Sequence, residues 1–198
     1  HLMFGAVRRR ADAIAYVSQF SADEFRRLAG NPRGRTSVIH CGVDEAWFDA
    51  VRQIAPRPAT ARPYLLYVGN VKPHKNLTRL LDAFGRIQGE FPHDLLIVGR
   101  KEGFITGDNI TLERIEAFGG RVSFTGYVPD PALKQIVAGA DALVLPSLYE
   151  GFGLPPVEAM AAGCPTLVST AGSLPEICQD AALYCDPLDI ADIAAQLK

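Results

Sequence analysis

Tyr64-Leu65-Leu66-Tyr67-Val68-Gly69 is followed by Asn76-Leu77-Thr78-Arg79-Leu80-Leu81-Asp82-Ala83-Phe84-Gly85-Arg86-Ile87, and then by Leu95-Leu96-Ile97-Val98-Gly99. The first and last runs are continuously apolar, without the alternation of a half-wet sheet, which marks strands covered on both faces. In the middle run Leu77, Leu80, Leu81, Phe84 and Ile87 recur at helical spacing and form one apolar face. Working outward, Val122 to Phe124, Ala142 to Leu145 and Thr166 to Val168 read as further short strands with amphipathic segments between them. Pro155 suits the first turn of a helix running to about Ala162, and Gly163 ends it. The alternation predicts a doubly wound α/β unit on a parallel, Rossmann-like sheet.

Upstream, Ala13 to Val17 and Thr36 to Ile39 read as strands, with a helix opened by a capping box at Ser21 and Glu24. Pro56 and Pro58, with Pro63 just beyond and several small residues, read as a linker over residues 51–62. Charge changes sign there: residues 1–62 hold ten arginines, no lysine and six acids, whereas residues 63–198 hold ten basic and sixteen acidic groups. The 198 residues are enough for one good core with a partial second unit. The expected division is a tail of a first domain at 1–50, the linker, and a nucleotide-binding domain at 63–198. The chain opens His1-Leu2-Met3 and stops within a helical pattern at Ala194 to Lys198, which reads as a piece of a longer protein truncated at its end.

Composition removes several classes. Hydrophobic residues at 48% with 21% charged are those of a globular protein, and no apolar stretch approaches the roughly 18 residues of a membrane span. A net charge of −2 offers no basic face for a nucleic acid. Cys41, Cys164, Cys178 and Cys185 have neither metal-knuckle nor disulfide-framework spacing, so they read as reduced cysteines of a cytoplasmic chain, with Cys178 and Cys185 as packing residues. Arg8-Arg9-Arg10 reads as a solvated face, with contact to anionic lipid at the inner side of the membrane as the alternative. Trp47 and Phe48 read as anchors for the segment leaving the first domain, with a stacking patch as the alternative.

In open α/β sheets ligands bind beyond the carboxyl ends of the strands, where helix N-termini present N–H groups. Two strand-end motifs therefore matter. Gly69-Asn70-Val71-Lys72-Pro73-His74-Lys75-Asn76 delivers a lysine to the mouth of a helix, where an anion such as phosphate offsets its charge; a solvated loop lysine is the plainer reading. Glu150-Gly151-Phe152-Gly153-Leu154-Pro155-Pro156-Val157-Glu158 combines glycines that admit a ligand to the backbone with two carboxylates, which accept hydrogen bonds from sugar hydroxyls. There the plainer reading is an exposed Glu150 and a Glu158 that complements the helix dipole.

The pair Glu150 and Glu158 around Gly-Phe-Gly-Leu-Pro resembles the signature of the family 4 (group 1) retaining glycosyltransferases of GT-B fold. Gly69 to Leu77 resembles that family's diphosphate-binding lysine loop, especially in the mannosyltransferase-like branch. Ile39-His40-Cys41-Gly42-Val43-Asp44 with Phe48, Phe124-Thr125-Gly126-Tyr127-Val128, Ile97-Val98-Gly99 and Gly172-Ser173-Leu174-Pro175-Glu176 add further points of likeness. The resemblance implies that Lys75 neutralises the diphosphate of a GDP- or UDP-sugar, Glu158 binds ribose, and Glu150 faces the donor sugar. Backbone at Gly151, Phe152, Gly153 and Leu154 would hold sugar and phosphate, with Gly69 in the lysine loop and Val128 beside the base. Many members have an arginine where Asn70 stands, so the diphosphate falls to Lys75 with backbone N–H groups, or to a neighbouring base such as Arg100; His74 is a further donor.

No Asp-x-Asp is present and the histidines at 1, 40, 74 and 93 are scattered, which fits transfer without a metal or other cofactor. The implied reaction moves a hexose such as mannose to a glycan or lipid-linked acceptor with retention of configuration, the acceptor being held by an N-terminal domain of which only the tail is here. A non-catalytic nucleotide-binding module and a nucleotide-sugar epimerase of the same fold are the alternatives.

Overall fold

The computed structural model describes residues 2–50, 58, 61–99 and 114–198. Arg100 and most of the expected linker lie outside these. The first part of the chain runs α1 (Leu2–Arg10), β1 (Ala13–Tyr16), α2 (Gln19–Ala29), β2 (Arg35–Val38) and α3 (Ala46–Ala50). Its two strands pair in parallel, Ala13 opposite Arg35 and Tyr16 opposite Val38, in a sheet of their own. The capping box expected at Ser21 is not the helix start. Ser18, extended at φ −158° and ψ 161°, accepts the Ser21 N–H with its side chain at 3.0 Å and opens α2. A cap must lie outside the helical backbone, and Ser21 is already inside the first turn. The helix at 2–10 was not expected from the sequence: its first turn holds no acidic residue.

From Tyr64 onward the chain forms β3 (Tyr64–Val68), α4 (Leu77–Ile87), β4 (Asp94–Val98), β5 (Val122–Gly126), α5 (Asp130–Ala138) and β6 (Ala142–Leu145). It continues through α6 (Leu154–Ala161), β7 (Thr166–Ser169), α7 (Leu174–Cys178), β8 (Leu183–Cys185) and α8 (Ile190–Gln196). The six strands make one parallel sheet in the order β5-β4-β3-β6-β7-β8. This is the expected doubly wound architecture with one more strand, β8, whose three residues are too few for a periodic signal.

The apolar face read from sequence is the buried face of α4: Leu77, Leu80, Leu81, Phe84 and Ile87 are all buried, with Ala83. Each such large side chain contributes roughly 1.5 to 3 kcal/mol of burial. Strands β3 and β7 are covered on both faces, as continuous apolar runs require. Edge strand β5 departs from that expectation; its burial alternates because one face meets solvent. Trp47 of α3 is 6% exposed and packs in the core of the large sheet unit, with the Lys134 ammonium 5.5 Å from its ring centre, while Phe48 is exposed. Cys164, Cys178 and Cys185 are buried and unpaired, and burial pushes the Cys185 thiol up to about 12. None of the described helices is long and apolar enough to cross a membrane.

Candidate functional site

Sheet order places the reversal of winding at β3. From β3 the chain crosses to β4 and then β5 on one side, and it returns to β6 on the other. The loops after β3 and β6 therefore diverge and leave a crevice between them, which is where α/β sheets bind ligands. Gly99, at the end of β4, lies against the loop after β3: a Cβ there would overlap the carbonyl of Gly69. Gly69 is itself held by its N–H on the Val98 carbonyl at 2.9 Å.

Asn76 fixes the lysine loop. It sits left-handed at φ 60° and is buried, and its Nδ2 donates to the carbonyls of Pro146 at 2.8 Å and Pro187 at 2.7 Å. Its Oδ1 accepts from Arg79 at 3.0 Å, and the neighbouring His74 carbonyl accepts the Leu148 N–H at 2.7 Å. The loops after β3, β6 and β8 are thereby tied to one residue. Asn tolerates this backbone region better than other non-glycine residues, and its amide supplies the donors that two buried carbonyls need.

With its backbone so placed, Lys75 extends its Nζ to Glu150 Oε1 at 2.6 Å. The Ser147 hydroxyl donates to the same oxygen at 2.8 Å. Glu150 is 8% exposed, so the sequence expectation of an exposed carboxylate as its plainer reading does not hold. Beneath the pair, Tyr67 is buried with its hydroxyl unpartnered among the described residues; burial, and then the Glu150 charge, push its pKa up. His74 is pushed down by burial and by Lys75 and Lys72, which keeps it neutral at pH 7. Asn70 is exposed at the rim of the crevice.

The glycine loop then leads into α6. Gly153 stands at its N-cap with φ 97°, a backbone that favours glycine, and Pro155 lies in its first turn. Phe152 is buried, 5.9 Å ring to ring from His40, and Leu154 is exposed. Ser173, buried ahead of α7, brings its N–H to 3.1 Å and its hydroxyl to 3.0 Å of the Glu150 carbonyl, and the hydroxyl also lies 2.9 Å from the Phe152 carbonyl. Preceding it, Gly172 has φ 67°, and a Cβ there would meet the Glu150 backbone at 2.7 Å.

Glu158 is half-buried on α6; burial, then the Asp130 charge, raise its pKa, against a smaller lowering by Lys134. Val128 is half-buried and packs on the core just beyond β5, after a register shift at the strand end that pairs Val98 with Gly126. The structure thus joins Lys75, Glu150 and the glycine loop at one crevice. Sequence reasoning missed Ser147, Tyr67 and the anchoring role of Asn76. For Ser147 the signal was available, because it follows the same strand end as Glu150. Among the described residues no cluster of three histidine, cysteine or acidic side chains could hold a metal.

The chain matches the family model described as glycosyl transferases group 1 over residues 62–198. It is 35% identical to the O-antigen chain mannosyltransferase B of Escherichia coli, over 94% of this chain and 51% of that protein. Its fold superposes on the sucrose-phosphate synthase of Thermosynechococcus elongatus with a TM-score of 0.80 and 30% identity, over 99% of this chain and 50% of the other. Anabaena HepE in complex with UDP-glucose has the same fold, at a TM-score of 0.82, 23% identity, and coverage of 99% and 56%. The chain therefore spans about half the length of these relatives. With the strand-end motifs gathered at the switch of its sheet and a family match over most of its length, the chain belongs to the group 1 glycosyl transferases.

Proposed function

We propose that this chain is the donor-binding part of a retaining hexosyltransferase that uses a nucleoside diphosphate sugar and passes the hexose, mannose by its E. coli relative's name, to a glycan or lipid-linked acceptor. The observation that carries the reading is the Lys75–Glu150 pair at 2.6 Å, set between a lysine loop and a glycine-lined helix N-terminus at the switch of the sheet. The Nζ of Lys75 has three protons, so it can keep Glu150 and still meet a diphosphate. When the anomeric C–O bond breaks, negative charge grows on the diphosphate, and a fixed cation with oriented N–H groups lowers that barrier. Glu150 faces the sugar in this reading, Glu158 the ribose and Val128 the base. The setting is the cytoplasm, in keeping with unpaired cysteines, and no metal is assigned a step.

Titration with GDP, UDP and ADP, followed by assay of the longer enzyme with the sugar form of whichever binds, tests the proposal. A rise in unfolding temperature with one diphosphate and transfer by the longer enzyme support it. Binding without transfer would make this a binding module, an epimerised sugar nucleotide would make it an epimerase, and no response to any of the three would end the reading.

Glu158→Gln tests the ribose contact. Because the folded protein raises the pKa of Glu158, it holds that proton more tightly than the unfolded chain does. The contribution of Glu158 to stability accordingly falls as pH rises from its ordinary value through the raised one. The neutral amide is expected to leave the unfolding temperature at pH 7 unchanged or slightly higher, while lowering ribonucleotide affinity about tenfold. A 2′,3′-dideoxynucleotide should bind wild type and variant alike; an equal loss with it would remove the ribose assignment. In the wild type, ribonucleotide affinity should weaken in acid as Glu158 takes up its proton.

A further inference from the structure

Three successive carbonyls of the donor loop are engaged from outside it. Those of Glu150 and Phe152 face Ser173, as above. The carbonyl between them, of Gly151, receives two hydroxyls from the opposite end of the chain: Ser18 Oγ at 2.6 Å and Ser21 Oγ at 2.8 Å. A carbonyl has two lone pairs, so both serines can donate at once. The N–H groups of Gly151, Phe152 and Gly153 donate to nothing among the described residues. In a trans peptide the C=O of one residue and the N–H of the next point in opposite directions. Each carbonyl held by a hydroxyl therefore turns the N–H of the following residue away from that hydroxyl.

Glycine on both sides of Phe152 leaves these peptides without intrinsic preference, so something outside the loop must fix them. The first turn of α2 is itself seated on the large sheet unit. Its Gln19 and Phe20 N–H groups donate to the Glu176 carboxylate at 2.7 and 3.0 Å, and His40 Nε2 lies 3.1 Å from the same carboxylate. Burial raises the pKa of Glu176, but those hydrogen bonds together outweigh it and hold the carboxyl below its ordinary value. Ser18 is buried completely. One helical turn thus uses its amides to grip α7 and its hydroxyls to grip the donor loop.

We infer that Ser18 and Ser21 are positioning residues for donor binding, holding the Gly151–Phe152 peptide so that its N–H faces the phosphate or sugar of the bound nucleotide. The inference rests on the donor-binding function proposed above and deepens it: a segment more than a hundred residues away in sequence shapes the loop.

Ser18 also caps α2, so the test must separate capping from donation. Aspartate is a good cap but an acceptor only, and Ser18→Asp combined with Ser21→Ala keeps the cap while removing both donors. Calorimetric titration of the 198-residue chain would compare the nucleoside diphosphate that binds the wild type with its parent nucleoside. The double variant is expected to lose about tenfold or more in diphosphate affinity and to change by less than about twofold for the nucleoside, while its unfolding temperature falls because a carboxylate then replaces a fully buried hydroxyl that faced the Gly151 carbonyl. Ser21→Ala alone, which leaves the cap untouched, should show a smaller loss of the same kind. Ser18→Thr with Ser21→Thr, which restores both hydroxyls, should recover affinity. Unchanged diphosphate affinity in the double variant, an equal loss for the nucleoside, or no recovery by threonine would overturn the inference while leaving the donor site standing. A wild type that binds no nucleoside diphosphate would overturn both.

Discussion

Lys75→Met is expected to weaken nucleoside diphosphate binding by about ten- to a hundredfold, the value of a lost charge-assisted contact of roughly 1.5 to 3 kcal/mol, and to leave nucleoside binding nearly intact. The same change removes the cation from Glu150, whose side chain is 10% exposed and is left with the Ser147 hydroxyl. Removing one partner of a buried ion pair leaves an uncompensated charge, so the variant should also lose stability, by about 2 to 4 kcal/mol for a pair that keeps some contact with water. The two losses separate in the double variant Lys75→Met with Glu150→Gln. It no longer buries a lone charge, and its unfolding free energy should return most of the way to wild type while its diphosphate affinity stays low. Calorimetric titration and denaturant unfolding on the three proteins measure both quantities. Equal loss of diphosphate and nucleoside affinity in Lys75→Met would remove the lysine from the phosphate, and full recovery of affinity in the double variant would do the same.

That coupling also marks where reading the sequence stopped. Lys75 and Glu150 were each legible, because a glycine turn after an apolar strand and a glycine-rich entry to a helix are local patterns. Their contact was not. It depends on β3 and β6 lying side by side in the sheet, with Leu65 opposite Ala142, although β4 and β5 intervene in the chain. The helix face from Leu77 to Ile87 was legible for the same reason as the motifs: its signal is complete within one turn-by-turn pattern. Elements with weak local signals were not, since β8 has three residues and α1 opens without an acidic first turn. Ser21 shows the limit most clearly. Its spacing to Glu24 satisfies a capping box, yet the tertiary contact with Gly151 and the better-placed Ser18 give its hydroxyl another use. Side chains whose partners lie far along the chain, as Ser173 does from Phe152, carry no local periodicity that could announce them.

The largest expected effect concerns the 198-residue chain as a whole: it should fold and bind nucleotide, yet transfer no sugar. Folding follows from one buried cluster that reaches from Trp47 through β3 to Leu197, including Leu66, Leu80, Leu95, Leu143 and Ile193 with essentially no exposure. A core drawn from a span of about 150 residues is sufficient for an independent unit. Nucleotide binding needs only the crevice between the loops after β3 and β6, and all of its described parts come from this chain. Transfer needs more. The acceptor must be held within reach of the anomeric carbon and water kept away, and the proposed donor site assigns no described residue to either task. Since the chain spans about half of its relatives, the acceptor side falls to sequence beyond it in this reading. Holding two reactants in line is worth roughly 7 to 11 kcal/mol of barrier, so a chain that binds only the donor should be silent as a transferase, whatever its affinity. The measurement is a product assay by mass spectrometry, with the chain, the sugar nucleotide that stabilises it and a panel of glycan and lipid-linked acceptors. A nucleotide-dependent rise in unfolding temperature without product is the expected result. Multiple turnovers with any acceptor would show that the donor half positions both substrates, and would overturn the division of labour proposed for the two halves.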